Sequence, residues 1–332
     1  MWSEDLKPGA LVERTILNES IVFYRREDGT VAALTNQCPH RFVPLDKGKL
    51  LPGDRIRCPY HGLEFDGTGK CVHNPHGNGA IPSGMNTRSW PVLEKHTCLW
   101  IWMGDREPDP SQIPDYSVID KADPAHATKR DRIIVKAHVQ LVADNLLDLS
   151  HGIYLHDGLL ANEDSANSEI TAVEEGNCVI VHRSAKGVQL VGLHREYWPH
   201  DTYTVDKFSS IRWTAPSYLL LTQGACLPGD TRDNAVGYYG IHLLTPETER
   251  TTHYHFMAVR FNVQTDPGAN DELSAKIAKN RRYAFAEQDA PIIEAQQRVL
   301  DSKGGKLNPT LMIVDLGPAR CKRILERLLE QD

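Results

Sequence analysis

The sequence predicts an α+β protein of two domains. An antiparallel β-domain spans residues 1–105, and a larger domain, 106–332, combines an antiparallel sheet with a long C-terminal helix. Three features predict it. Residues 10–104 divide into short apolar runs punctuated by turn residues, the pattern of a small β unit. Residues 168–263 repeat that alternation. Residues 271–300 read as one long helix, punctuated only at Pro291.

The elements follow in order. Ile21-Val22-Phe23-Tyr24, the turn Glu27-Asp28-Gly29-Thr30 and Val31-Ala32-Ala33-Leu34 form a hairpin. Gly67-Thr68-Gly69 turns the chain after Leu63-Glu64-Phe65, and Leu99-Trp100-Ile101-Trp102-Met103 is a last strand closed by Gly104. Residues 105–114 hold three prolines and three acids, which marks a boundary between domains. The second domain opens with a strand over 132–136 and a helix over about 139–151. Strands are expected at Cys178-Val179-Ile180-Val181, at Tyr218-Leu219-Leu220-Leu221, and over 238–244 and 253–261. The helix over 271–300 is expected to be perturbed at Pro291, whose ring and missing N–H disrupt a helix interior. A final amphipathic helix starts near Pro318, with Ile324, Leu325, Leu328 and Leu329 on one face.

Composition excludes several classes. The net charge of −7 argues against a nucleic-acid partner, which needs clustered Lys and Arg. No apolar run approaches membrane-spanning length, so no membrane association is expected. Met1-Trp2-Ser3-Glu4-Asp5 does not resemble a secretory leader. Seven cysteines without regular spacing beyond the first pair argue against a disulfide scaffold and for a reducing, cytoplasmic setting.

Two short motifs carry the chemistry. Cys38-Pro39-His40 and Cys58-Pro59-Tyr60-His61 each supply one thiolate and one imidazole. Two cysteines on one iron and two histidines on the other make a 2Fe–2S cluster whose potential lies at roughly −150 to +300 mV. Zinc fingers also use two Cys and two His, but they usually pair like with like. Pro39, Pro59 and Gly62 suit tight loops that leave backbone N–H groups free to face the cluster. Cys71, Cys98, Cys178, Cys226 and Cys321 read as small buried hydrophobes, and His73 and His76 as exposed loop residues.

The second constellation is Asn145, Asp148, His151 and His156. Asn145, Asp148 and His151 fall on one helical stripe. His151 and His156 stand about 140° apart on a regular helix, so they converge only if the helix breaks, and Gly152 is the expected break. Two imidazoles and one carboxylate form the facial triad of non-haem Fe(II) oxygenases, with positions left open for O2. The carboxylate is Asp148, Glu287, Asp289 or Glu294. Asp148 sits one turn before His151, better placed to orient a ligand histidine than to bind metal. Spacing does not choose among the rest.

These motifs resemble those of the Rieske non-haem iron oxygenases, catalytic α subunits, in the branch of vanillate O-demethylase, dicamba monooxygenase and toluenesulfonate methyl-monooxygenase. Cys38-Pro39-His40-Arg41 and Cys58-Pro59-Tyr60-His61-Gly62 are similar to the family's cluster loops. Trp90-Pro91-Val92 and Trp100-Ile101-Trp102-Met103-Gly104-Asp105 are similar to the end of its Rieske domain. Asn145 through His151, then His156, resembles its iron-binding helix, and Phe285-Ala286-Glu287-Gln288-Asp289 the segment holding the carboxylate ligand. The resemblance covers nearly the whole chain and selects Asp289. It implies a helix-grip, START-like catalytic domain and a head-to-tail homotrimer in which Asp148 bridges His61 of one subunit to His151 of the next. It also implies a separate NAD(P)H-dependent reductase or ferredoxin, since no GxGxxG loop for nicotinamide or flavin occurs here.

The activity implied is that of a monooxygenase component: O2 and reductase electrons hydroxylate a small aromatic substrate, with O-demethylation of a methoxy-aromatic and formaldehyde release as the main reading. N-demethylation and hydroxylation of an aryl methyl or ring carbon, including ring dioxygenation, are the rivals among enzymes. A Rieske electron carrier is the rival outside them. Asn145 is expected to shape the surroundings of the iron, and Trp213, His255, Phe256 and Tyr283 are candidates for the pocket, with core packing as their alternative role.

Overall fold

The computed structural model describes residues 1–166, 168–305, 307 and 309–331. The chain divides into two compact units, Met1–Pro114 and Asp115–Asp332.

The first unit holds three small antiparallel sheets: β1 (Val12–Ile16), β2 (Glu19–Arg25) and β3 (Val31–Thr35); β4 (Lys49–Leu51), β5 (Arg55–Arg57), β6 (Glu64–Phe65) and β7 (Cys71–His73); and the hairpin of β8 (Val92–Lys95) with β9 (Cys98–Ile101). The run Ile21-Val22-Phe23-Tyr24 is apolar without interruption because β2 faces two cores. Ile21 and Phe23 pack with Leu6, Trp90 and Leu99, while Val22 and Tyr24 pack with Leu45, Ile56, Phe65 and the two cysteines Cys38 and Cys58. Alternate side chains of one strand thereby tie both sides of the unit together.

The second unit contains α1 (Ser117–Asp120), β10 (Asp131–Val135), α2 (Val139–Leu147), α3 (Gly152–Leu155), β11 (Glu169–Glu175), β12 (Cys178–Gln189), α4 (Gly192–Glu196), β13 (Thr204–Thr214), β14 (Tyr218–Cys226), β15 (Val236–Thr248), β16 (Thr251–Phe261), α5 (Asn270–Tyr283), α6 (Ala290–Ser302) and α7 (Leu316–Leu329). Its seven strands form one antiparallel sheet in the order β10-β16-β15-β14-β13-β12-β11. The register aligns side chains in rows on one inner face: Trp213, Leu219 and His242 share a row, as do Arg183, Ser209, Gln223 and Tyr238. Leu273, Ile277, Phe285 and Ile293 of the C-terminal helices pack into that face. Among the described residues no helix is long and apolar enough to cross a membrane.

Several expectations are corrected. Strands β11 and β13 lie in stretches where no individual strand was predicted. The helix predicted over 139–151 ends at Leu147, because Asp148 leaves helical geometry (φ −94°, ψ 92°) and caps the next turn. Gly152, the predicted break, has helical dihedrals (φ −57°, ψ −25°). The C-terminal helix is interrupted by a π-helical segment over Ala284–Asp289 just before Pro291. Pro291 has no N–H to offer the carbonyl of residue 287, and a widened turn accommodates that lost bond. On α7, Ile324 is buried but Leu329 is 76% exposed, so the apolar stripe is shorter than its sequence implies.

Candidate metal centres

Two loops of the first unit are built alike. The Cys38 N–H donates to the Val43 carbonyl and the Phe42 N–H to the Cys38 carbonyl; likewise the Cys58 N–H donates to Leu63 and the Gly62 N–H to Cys58. The fifth residue of each loop turns through positive φ, 60° at Phe42 and 71° at Gly62. Both cysteines are free thiols, each 2% exposed. Burial is the main force that pushes the Cys38 thiol up to about 11, while the backbone N–H groups of His40 and Arg41 pull in the other direction and the neighbouring Cys58 adds to the rise. The His40 and His61 rings lie 4.5 Å apart, nearer the surface than the thiols. Two touching buried thiols and two adjacent imidazoles fit a cluster ligated by sulfur on one iron and nitrogen on the other. His76 is exposed but not idle: its Nε2 is 2.8 Å from the His61 carbonyl.

In the second unit the break at Asp148 brings the two histidines round. The Asp148 carboxylate accepts from the Ser150 N–H at 2.8 Å and from its hydroxyl, closing a short turn. The Asp148 carbonyl faces His151 Nδ1, which leaves Nε2 toward Asp289. Asp289 Oδ1 lies 3.4 Å from His151 Nε2 and 3.2 Å from His156 Nε2. The ligand atoms of these three residues lie within 4.8 Å of one another, the arrangement a single cation needs. Asp289 is 4% exposed. Burial alone drives its carboxyl upward, but the hydrogen bonds and charge of His151 and His156 outweigh it and hold the carboxyl below its ordinary value. His151 responds in the opposite sense: burial disfavours its charge, and Asp289 more than compensates.

The remaining predicted residues separate cleanly. Asn145 Nδ2 is 3.3 Å from Asp289 Oδ1. Glu287 is exposed, and Glu294 accepts from the Lys136 N–H at 3.0 Å, so neither reaches the histidines. The sequence reading missed Gln288, whose Oε1 lies 2.9 Å from His156 Nδ1 and whose amide donates to the Leu155 carbonyl at 2.8 Å. It also missed His242, with Nδ1 2.6 Å from the Tyr254 hydroxyl. Burial first, then the nearby Arg281, holds His242 neutral. Gly240 gives these side chains room: a Cβ there would meet His242 Nε2 at 2.9 Å and Arg281 at 3.3 Å.

A cavity of about 930 Å³, mouth included, opens on the three residues. Leu149, Phe208, Ile211, Leu221 and Phe285 give it apolar walls, and Arg183, Lys207, Gln223, Tyr238, His242 and Arg281 line it too. None of Trp213, His255, Phe256 and Tyr283 lines it. Trp213 and Phe256 are core, His255 alternates to the other face of β16, and Tyr283 is 53% exposed on α5.

Residues 1–91 match the Rieske [2Fe-2S] domain, and residues 135–331 match the vanillate O-demethylase oxygenase C-terminal domain. This chain belongs to the Rieske non-haem iron oxygenases. The Rieske oxygenase is 36% identical to the oxygenase component of dicamba O-demethylase from Stenotrophomonas maltophilia, over 95% of this chain and 91% of that protein. It is 30% identical to a vanillate O-demethylase oxygenase subunit from a Pseudomonas species, over 96% of each chain. A crystal structure of dicamba monooxygenase bound to 3,6-dichlorosalicylic acid superposes with a TM-score of 0.90 at 34% identity, covering 99% of this chain and 95% of that one. As an oxygenase component, this Rieske oxygenase carries a 2Fe–2S cluster in its first unit.

Proposed function

We propose that this Rieske oxygenase removes the methyl group of a methoxylated aromatic compound. Cys38, His40, Cys58 and His61 would hold the cluster, and His151, His156 and Asp289 a mononuclear iron. The observation that carries the reading is the triad His151–His156–Asp289 opening onto a mostly apolar cavity large enough for a substituted benzene ring. The O-demethylases among its relatives support it. The net change is balanced: ArOCH3, O2, two electrons and two protons give ArOCH2OH and water, and the hemiacetal collapses to ArOH and formaldehyde.

When bound, the iron supplies O2 activation, which no side chain can perform. The protein's own groups hold and aim it. Asn145 donates to Asp289, Gln288 fixes the His156 ring through Nδ1, and the Asp148 carbonyl does the same for His151. Such outer partners set tautomer and orientation of ligand imidazoles. The apolar walls, Leu149, Ile211, Leu221 and Phe285 among them, would pack against the aromatic ring. A separate NAD(P)H-dependent reductase or ferredoxin delivers electrons, and in a head-to-tail homotrimer Asp148 would link His61 of one subunit to His151 of its neighbour. Incubating the protein with a generic reductase and a panel of methoxylated and N-methylated aromatics tests the reading. Formaldehyde with a phenol product is expected; an amine product or a retained hydroxymethyl or ring hydroxyl group would redirect it.

A further inference from the structure

Among the described residues one primary amine, Lys207, lines the cavity, and no cysteine does. Every other described lysine is exposed, whereas Lys207 is half-buried in the wall. Register sets it between two alanines, Ala185 on β12 and Ala225 on β14, and directly opposed side chains project to the same face. Small neighbours on both sides leave the end of the lysine open to a small molecule. Arg183 and Arg281 line the same cavity, but a guanidinium keeps its proton and is a poor nucleophile.

The amine also lies beside the place where a product is released. Its Nζ donates to the Leu160 carbonyl at 3.0 Å, and the Leu160 N–H donates to the His156 carbonyl, so Lys207 hangs on the turn that follows a triad histidine. That carbonyl is a neutral partner, and the charge felt most at Lys207 is the repulsive one of Arg183. Burial, then Arg183, lowers Lys207 to about 8. At pH 7.5 about a quarter of it is then free amine, against about one in a thousand for an ordinary lysine. A neutral amine keeps its bond to Leu160 through one N–H and still presents a lone pair. Lysines that form Schiff bases with carbonyl compounds are of this kind, made less basic by burial or by a neighbouring cation.

We propose that Lys207 is a covalent capture site for formaldehyde. The proposal rests on the demethylation reading only for the source of the aldehyde. The amine nitrogen attacks the carbonyl carbon, a C–N bond forms, and an amine proton passes to the oxygen to give a carbinolamine. Loss of that hydroxyl with the remaining N–H proton, as water, leaves the imine R–N=CH2. Nothing is oxidised or reduced, and water reverses both steps. The adduct replaces a cation of the cavity wall by an uncharged methylene group, so turnover faster than the escape of formaldehyde would alter the site that produced it. The test exposes the full chain, as purified with its metals, to dilute isotopically labelled formaldehyde and cyanoborohydride, which reduces the imine to a stable N-methyl group. Mass spectrometry of the lysine peptides reads the sites. At pH 7.5 Lys207 should be methylated at least about tenfold faster than the exposed lysines, and the preference should vanish in urea. Lys207 modified no faster than the exposed lysines, or a preference that survives unfolding, would overturn the proposal. A second arm supplies a generic reductase and methoxyarenes that carry the label in the methyl group. Label on Lys207 during turnover supports capture where the aldehyde forms, whereas labelled formaldehyde in solution with Lys207 unlabelled overturns it. The two readings fail separately. Preferential methylation by added formaldehyde with none produced in turnover overturns demethylation and leaves the capture site standing.

Discussion

Asp148 caps a turn and is also the proposed electron relay between subunits, and replacing it by Asn and by Ala pulls the two roles apart. Its carboxylate caps the turn that carries His151, through Ser150, and its charge lies near Arg183. Asn caps about as well as Asp, so Asp148→Asn should cost only a few tenths of a kcal/mol of cap energy, whereas Asp148→Ala should cost about 1 kcal/mol. For a unit the size of Asp115–Asp332 that loss lowers Tm by about 2–4 °C per kcal/mol. If the carboxylate also conducts electrons between subunits, Asp148→Asn should retain both metals and nearly the wild-type Tm, yet slow turnover at least about tenfold, equivalent to about 1.4 kcal/mol of barrier. Thermal melting, iron content and reductase-coupled O2 uptake on the same samples read all three quantities. Wild-type turnover in Asp148→Asn would refute the relay, and an unshifted melting point in Asp148→Ala would refute the cap.

Gln288→Ala frees the His156 ring at Nδ1, so retention of the mononuclear iron against a chelator should weaken by about 10- to 100-fold while the visible absorption of the cluster stays unchanged; equal loss of both metals would show a general disruption instead. Asp144 offers a test by pH. Burial pushes its carboxyl up to about 6, with the Gln140 amide at 2.6 Å and Lys322 pulling down and Asp315 adding to the rise. A folded value above the unfolded one means the native state holds the extra proton from about pH 4 to 6, so this group's contribution to stability falls as pH rises through that window. Asp144→Asn should therefore stabilise the protein at pH 7.5, on the order of 1–3 kcal/mol, and change little at pH 4; a variant less stable at pH 7.5 than at pH 4, relative to wild type, would contradict this.

What could be read from the sequence was local. The candidate cluster residues Cys38, His40, Cys58 and His61 stand in two contiguous motifs, and proline, glycine and spacing all act within a single loop, so the sequence offers them as one set. The histidines of the second site were legible for the same reason, but the break between them was misplaced. Glycine at 152 drew attention, whereas Asp148-Leu149-Ser150 held the stronger capping signal. Strand β13 was missed because Asp206, Lys207 and Arg212 interrupt its apolar pattern. Lys207 is there because the face it occupies lines a cavity rather than solid core. Pocket residues were the least legible. Trp213 and Phe256, two of the pocket candidates, do face inward, but they pack as core, Trp213 in the row of Leu219 and His242. That distinction depends on which helix covers which row, a long-range matter. The π-helical segment before Pro291 likewise brings Gln288 and Asp289 to His156, with Gln288 132 residues further along the chain, a pairing that the spacing of acids on a regular helix could not reveal.

The most direct measurement compares iron content and low-temperature EPR of dithionite-reduced wild type and Asp289→Ala, both purified anaerobically. The wild type should carry the two irons of a cluster and one more per chain, and the variant should lose only the extra iron while its anisotropic cluster signal persists. A wild type with a single kind of iron, or a variant that keeps all of its iron, would contradict the account.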